Sequence, residues 1–253
     1  MVTFERPPLN EVVLGQTFFP RPDFLIPHIG EFSARLRDRY TKAQHAQIVL
    51  GEGETPVQDS NGNWIPRVWL ISSDDTWLVQ IQQDRLYVNW RQAGATSSYV
   101  RFPAIKAEFD RVWAILNDVV LTTTGAALQP QRLELSYTNI IPSGDAWKTV
   151  PDLRNVLKDF QWKDGARSLP APSRYSSQLE FQLPQHETSM VVRSDIGKRT
   201  SDGLGILRVE LRVTGSAQGT SLDEWVEAAH QHIVHGFKDL TTTEMHEKHW
   251  GLL

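Results

Sequence analysis

The chain has 253 residues, 40% of them hydrophobic and 22% charged, with no cysteine and a formal net charge of −4. Without thiols it can form no disulfide, no thiolate nucleophile and no Cys-ligated zinc or iron–sulfur centre, and without a basic surplus it is not built chiefly to neutralise phosphates. The opening MVTFERPPLNEVV has charge and proline where a signal peptide needs an apolar run. No stretch approaches the ~18–20 apolar residues of a membrane span, so the expectation is a cytoplasmic protein that does not enter a membrane.

Residues 11–19 (EVVLGQTFF) read as a strand, entered by Pro7-Pro8 and closed by Pro20 and Pro22. A helix follows, with Asp23 as the expected cap, Pro27 in the first turn, and Leu25, Ile29, Phe32, Leu36 and Tyr40 on one stripe. The turn-rich run 51–63 (GEGETPVQDSNGN) reads as a loop, and 64–72 (WIPRVWLIS) as a strand. In TWLVQIQQDRLYVNWR, residues 76–91, placing Ile81 opposite Leu86, Val79 opposite Val88 and Trp77 opposite Trp90 makes a hairpin with Gln83-Asp84 as its two-residue turn. A helix then opens at Pro103, carries Ile105, Phe109, Val112, Leu116 and Val119, and ends by Gly125.

The second half repeats the order. Residues 132–141 read as a strand, and a short helix follows with Asp152 in its first turn. The run 165–173 is a loop. Strands are expected at 175–183, 188–195 and 204–214. The last helix opens on a capping box, Ser221-x-x-Glu224, and presents Leu222, Val226, Ala229, Ile233, Phe237 and Leu240. These elements predict an α+β fold, with helices on one face of antiparallel sheet. The division is into two similar β-α-β(3-4)-α halves, 1–125 and 126–253, packed as one unit, and the order resembles TBP-like or helix-grip folds. Nine tryptophans are expected to pack the core, Trp69, Trp77, Trp90 and Trp113 among them.

With the apolar set of the hairpin inward, its other set is Gln80, Gln82, Arg85, Tyr87, Asn89 and Arg91. This face is amide-rich, cationic at one end, and free of Lys and Glu, the residue balance of docking surfaces. It is the expected site of binding, as an open sheet face. The corresponding face of the second half carries Glu134, Gln178, Glu180, Arg208, Glu210 and Arg212, which reads as ion pairs on a wet surface.

No motif names a reaction. There is no P-loop, no G-x-S-x-G elbow, and no Asp or Glu in a context that reads as buried. Five of the eight histidines lie at positions 230–249. On a helix at 100° per residue His230, His232 and His235 fall at about 80°, 280° and 220° from Leu222, so those three cannot converge on one ion. No cofactor and no metal is expected.

Three stretches, PPLNEVVLGQTFF, WLVQIQQDRLYVNWR and the final HWGLL, resemble a family of uncharacterised bacterial proteins of about 250 residues, scattered irregularly among species. The resemblance spans nearly the whole chain and implies no activity, cofactor or catalytic residue. Its irregular distribution implies an accessory gene, of the defence or toxin-neutralising kind. The expected function is thus a non-enzymatic binding or assembly component, with a protein partner or self-association. A rival expectation is a metal-dependent hydrolase or nuclease using His232, His235, His246 and His249. A further one is nucleic-acid binding.

Overall fold

The computed structural model of the protein describes residues 2–51, 53–94, 99–163, 165–166, 168–184 and 187–253. Glu52 and Arg167, in the two loops expected at 51–63 and 165–173, lie outside the described residues. The elements are β1 (Leu9–Phe18), α1 (Ile26–Arg35), β2 (Lys42–Ala46), β3 (Arg67–Ile71), β4 (Trp77–Gln82), β5 (Arg85–Arg91), α2 (Phe102–Thr124), β6 (Pro130–Pro142), a 3-10 turn (Val150–Asn155), β7 (Ser176–Gln182), β8 (Ser189–Lys198), β9 (Gly205–Ser216), α3 (Leu222–Leu240) and a π-helical turn (Met245–Trp250). The fold is α+β, with one nine-stranded antiparallel sheet in the order β2-β3-β4-β5-β1-β6-β9-β8-β7. In each half the last strand returns to the first: β5 lies beside β1, and β9 beside β6.

The chain divides into two compact units, Glu11–Leu135 with Gly215–Thr220, and Met1–Asn10 with Ser136–Thr214 and Ser221–Leu253. In the first unit the hairpin register is the expected one, Ile81↔Leu86, Val79↔Val88 and Trp77↔Trp90. β1 joins it through Leu14↔Val88 and Val12↔Trp90. Strict alternation sets one face of these strands apolar. Val12, Leu14, Phe18, Val79, Ile81, Leu86 and Val88 are all fully buried there. α2 lies against β5 and α1, burying Ile105, Phe109, Val112, Leu116 and Val119. It stops at Gly125, whose φ of 76° supplies the left-handed C-cap that ends helices.

Two local expectations change. The cap of α1 falls at Leu25, whose N–H donates to His28 Nδ1 at 2.9 Å, because Asp23 is taken by the Arg21 guanidinium at 2.9 and 2.6 Å. The chain also has a strand that periodicity did not mark: β2 pairs with β3 as an edge, and four of its five residues are exposed.

In the second unit α3 begins at the expected capping box, with Ser221 Oγ accepting from Glu224 N–H. α3 packs on β8 and β9: a Cβ at Gly236 would lie 3.2 Å from Met190 Cε and 3.5 Å from Leu211 Cδ2. The chain start joins this unit. Phe4 bridges to Leu252, and its ring meets those of Phe237 and Trp250 at 6.0 and 5.9 Å.

Candidate functional site

The face expected to be open is interior. Gln80, Gln82, Arg85, Tyr87 and Asn89 are all buried, and Arg91 is half-buried. The cover comes from the chain between β2 and β3. Gln82 holds the backbone of Val49 at both ends of its amide: Val49 N–H donates to Oε1 at 2.9 Å, and Nε2 donates to Val49 O at 3.0 Å. Arg85 forms a bidentate pair with Asp84 at 2.9 and 2.6 Å and reaches Glu54 Oε2 at 2.6 Å. Burial works against the Arg85 charge, but these two carboxylates outweigh it and raise the guanidinium pKa. Glu54 likewise meets a burial cost that Arg85 and the Gly51 N–H overcome, so its pKa falls.

Farther along the strands, Gln80 Nε2 donates to Asn89 Oδ1 at 2.6 Å and Asn89 Nδ2 to Glu11 Oε1 at 2.7 Å. Gln82 and Arg85 thus pin the loop to the sheet, while Gln80, Asn89 and Glu11 form a separate polar chain along the strands. The face formed by Gln80, Gln82, Arg85, Tyr87, Asn89 and half-buried Arg91 does not lie open, which corrects the expectation of an open sheet face there. The shortage of Lys and Glu on this face marks burial as readily as it marks docking, since both require side chains that give up water at low cost.

A buried carboxylate was missed. Glu108 on α2 is 5% exposed. Its Oε1 accepts from Tyr40 Oη at 2.6 Å and Arg111 at 2.7 Å, while Oε2 accepts from Arg111 Nε at 3.1 Å and pairs with Arg39 at 3.2 Å. Burial alone would raise its pKa, but Arg111 and Tyr40 hold it below the usual carboxylate range. The same burial, with the Glu108 hydrogen bond, raises Tyr40. A carboxylate kept ionised, with both oxygens occupied, is a clamp between Tyr40 and α2 and has no free lone pair for proton transfer. Its sequence signal was the Glu108–Arg111 spacing on a helix.

The histidines are dispersed. His246 is buried, with Nε2 2.8 Å from Thr241 Oγ1. His230 meets Tyr137 Oη through Nδ1 at 2.9 Å. His232 is half-buried and His235 and His249 are exposed. Among the described residues no group of three His, Asp or Glu side chains stands placed to hold a metal ion, and no helix is long and apolar enough to cross a membrane.

The accessible feature of the second unit is β7, at the end of the sheet. Six of its seven residues are exposed, including Leu179 at 43% and Phe181 at 37%. Both lie on the face shared with α3, since Leu179 pairs with buried Val192 and Phe181 with buried Met190. The 2.8 Å bond from Leu183 N–H to Thr188 O and the 3.1 Å bond from Ile196 N–H to Tyr175 O show that odd-numbered residues turn their backbone groups toward β8. Alternate residues of an antiparallel strand direct theirs to opposite sides. Ser176, Gln178, Glu180 and Gln182 therefore aim N–H and C=O at the edge on which, among the described residues, no further strand pairs. The exposure of Leu179 and Phe181 follows from the strand's terminal place in the sheet.

No protein-family model matches the chain, and no curated protein matches it.

Proposed function

We propose that the protein is a non-enzymatic binding or assembly component, of the accessory bacterial kind and cytoplasmic, and that it engages a protein partner along the free edge of β7. The observation that carries this reading is the state of that edge. Sheet ends in soluble proteins are normally blunted by Lys, Pro, bulges or a covering segment. β7 has no Lys, Arg or Pro, bears one charge at Glu180, and leaves Leu179 and Phe181 exposed. The opposite end, β2, is shorter, carries Lys42 and has no large apolar residue. An edge of the β7 kind takes an added strand through main-chain hydrogen bonds, with alternate side chains giving selectivity.

The test is native mass spectrometry of untagged protein from its own cell, beside the Gln178→Pro variant. Proline at 178 removes a donor aimed outward and costs β7 no main-chain bond to β8; it also removes the exposed side-chain bond from Arg193 Nε to Gln178 Oε1 at 2.9 Å. An assembly heavier than one chain that disappears in Gln178→Pro supports the reading. A single-chain mass for the unaltered protein counts against it.

A second reading has its own observation. A concavity of about 430 Å³ gathers Arg154, Lys158 and Lys163 with Phe160 and Trp162. Cations beside aromatic rings suit a phosphate-bearing, single-stranded nucleic acid. Lys158 is held in place there, its Nζ donating to Lys238 O at 3.0 Å. Oligonucleotide binding that falls steeply with salt and is lost in Lys163→Ala would favour this reading over assembly.

A further inference from the structure

We propose that the strand received by β7 is β7 of a second copy of this chain, in an antiparallel register centred on Leu179. This rests on the assembly reading and specifies its partner. The outward backbone groups belong to Ser176, Gln178, Glu180 and Gln182, as the β7–β8 bonds require, so hydrogen-bonded pairs across a twofold axis join even-numbered residues to even-numbered residues. With the axis at Leu179, Ser176 faces Gln182 and Gln178 faces Glu180 of the other copy. The one carboxylate of the strand meets a carboxamide, which can donate to it. Four such pairs supply about eight main-chain hydrogen bonds.

The neighbouring registers fit less well. Sliding the copies by two residues in one direction sets Glu180 against Glu180, like charges directly opposed. Sliding in the other direction leaves Phe181 and Gln182 of both copies without a partner from the strand. Only the centred register aligns all seven residues, Ser176–Gln182. It also brings Leu179 against its own copy as a non-hydrogen-bonded pair, the closer kind, with Phe181 on the diagonal. The four exposed apolar side chains of the two edges then cover one another. Pairing β7 with the far edge, β2, would instead be head-to-tail, and closes only where the rotation between copies makes a ring. A strand pairing with itself about a twofold axis closes at two copies.

Because the chain has no cysteine, one introduced thiol reports the register. Leu179→Cys places two thiols on the axis, where opposed Cα atoms lie about 4.5–5.5 Å apart, within disulfide reach. Phe181→Cys places its two thiols four residues apart along the paired strands, about 13 Å, beyond reach. Both sites are exposed, so neither change disturbs the core. Each variant is oxidised in air with a copper catalyst, dissolved oxygen accepting the electrons and protons of the two thiols, and read on a non-reducing gel.

The expected result is a crosslinked dimer from Leu179→Cys, none from Phe181→Cys, and no dimer from Leu179→Cys combined with Gln178→Pro. Crosslinking of Phe181→Cys in place of Leu179→Cys overturns the register. Absence of both crosslinks, with a single-chain mass in solution at every concentration, overturns self-pairing. In that event, loss of a different protein from the native complex on Gln178→Pro leaves the assembly reading standing, whereas an unchanged native complex removes both.

Discussion

The ring of Tyr87 occupies the space that a side chain at Gly15 would need. A Cβ built on Gly15 falls 2.8 Å from Tyr87 Cε1, nearer still to Cδ1, and 2.7 Å from the Leu86 carbonyl oxygen. Gly15 and Tyr87 are register partners in β1 and β5, so the glycine is the gap into which the tyrosine lies. Gly15→Ala is expected to destabilise the fold by about 1–3 kcal/mol, the usual cost of overpacking. Gly15→Ala with Tyr87→Ala should recover part of the loss that the single changes, summed, would give. Urea denaturation of the three variants checks the coupling.

Arg85 is one of the six residues of the expected binding face. Its partners make it a support of the fold. Arg85→Ala takes the charged partner from the Asp84 carboxylate, whose side chain is 12% exposed, and leaves it the 3.1 Å bond from Gln82 Nε2. Breaking a buried pair from one side typically costs about 3–5 kcal/mol. The midpoint of unfolding should drop accordingly, and any loss of assembly in this variant should follow the unfolding curve. Lys42→Ala, which removes only an exposed pair with Asp75, should shift stability by less than about 1 kcal/mol.

Gln82 fastens residues 47–54 over the sheet through two bonds to the Val49 backbone. Gln82→Leu keeps the apolar bulk and removes both, together with the 3.1 Å bond from Gln82 Nε2 to Asp84 Oδ1. The expected outcome is faster limited proteolysis in this segment, mapped by mass spectrometry, with a stability loss of about 1–2 kcal/mol. An unchanged cleavage pattern would mean that Glu54 and Arg85 hold the loop without Gln82.

Glu108 sets a pH dependence with a definite sign. Its folded pKa lies below its unfolded value. The stability it contributes is therefore present above the unfolded pKa, about 4.3, and is lost as pH falls through the folded pKa. Unaltered protein should lose stability on acidification below about pH 4.5. In Glu108→Gln the curve should be lower at neutral pH by about 1–3 kcal/mol, given half-exposed Arg111 and Arg39, and flatter in acid. Parallel curves for the two proteins would deny Glu108 this role.

The elements that alternation or helical period could mark were legible: the hairpin and its register, α2 with its proline entry and glycine stop, and α3 with its capping box. β2 was not, because Lys-Ala-Gln-His-Ala offers no apolar face to count; its place comes from pairing with β3. The polar face of the hairpin was located correctly as a set and misread as open. Alternation says which residues share a face and nothing about what lies over it. Two signals pointed inward: a glycine in the middle of β1, which often marks close approach of another group, and acidic Glu54 and Asp84 available to a single Arg85. The edge at β7 lies beyond reach of local pattern altogether, since exposure there depends on which strand ends the sheet.

The contact between Phe4 and Leu252 carries a consequence for synthesis. Thr3, Glu5 and Arg6 bond to Leu253, Gly251 and Trp250 at 2.9, 2.8 and 2.9 Å, so these residues receive partners that are made much later in the sequence. A nascent chain carries Phe4 without these partners until Phe237, Trp250 and Leu252 have been made. The Glu11–Leu135 unit waits only for the short Gly215–Thr220 segment, and so has most of its core in hand first. The Glu11–Leu135 unit can therefore close before the partners of Phe4 exist.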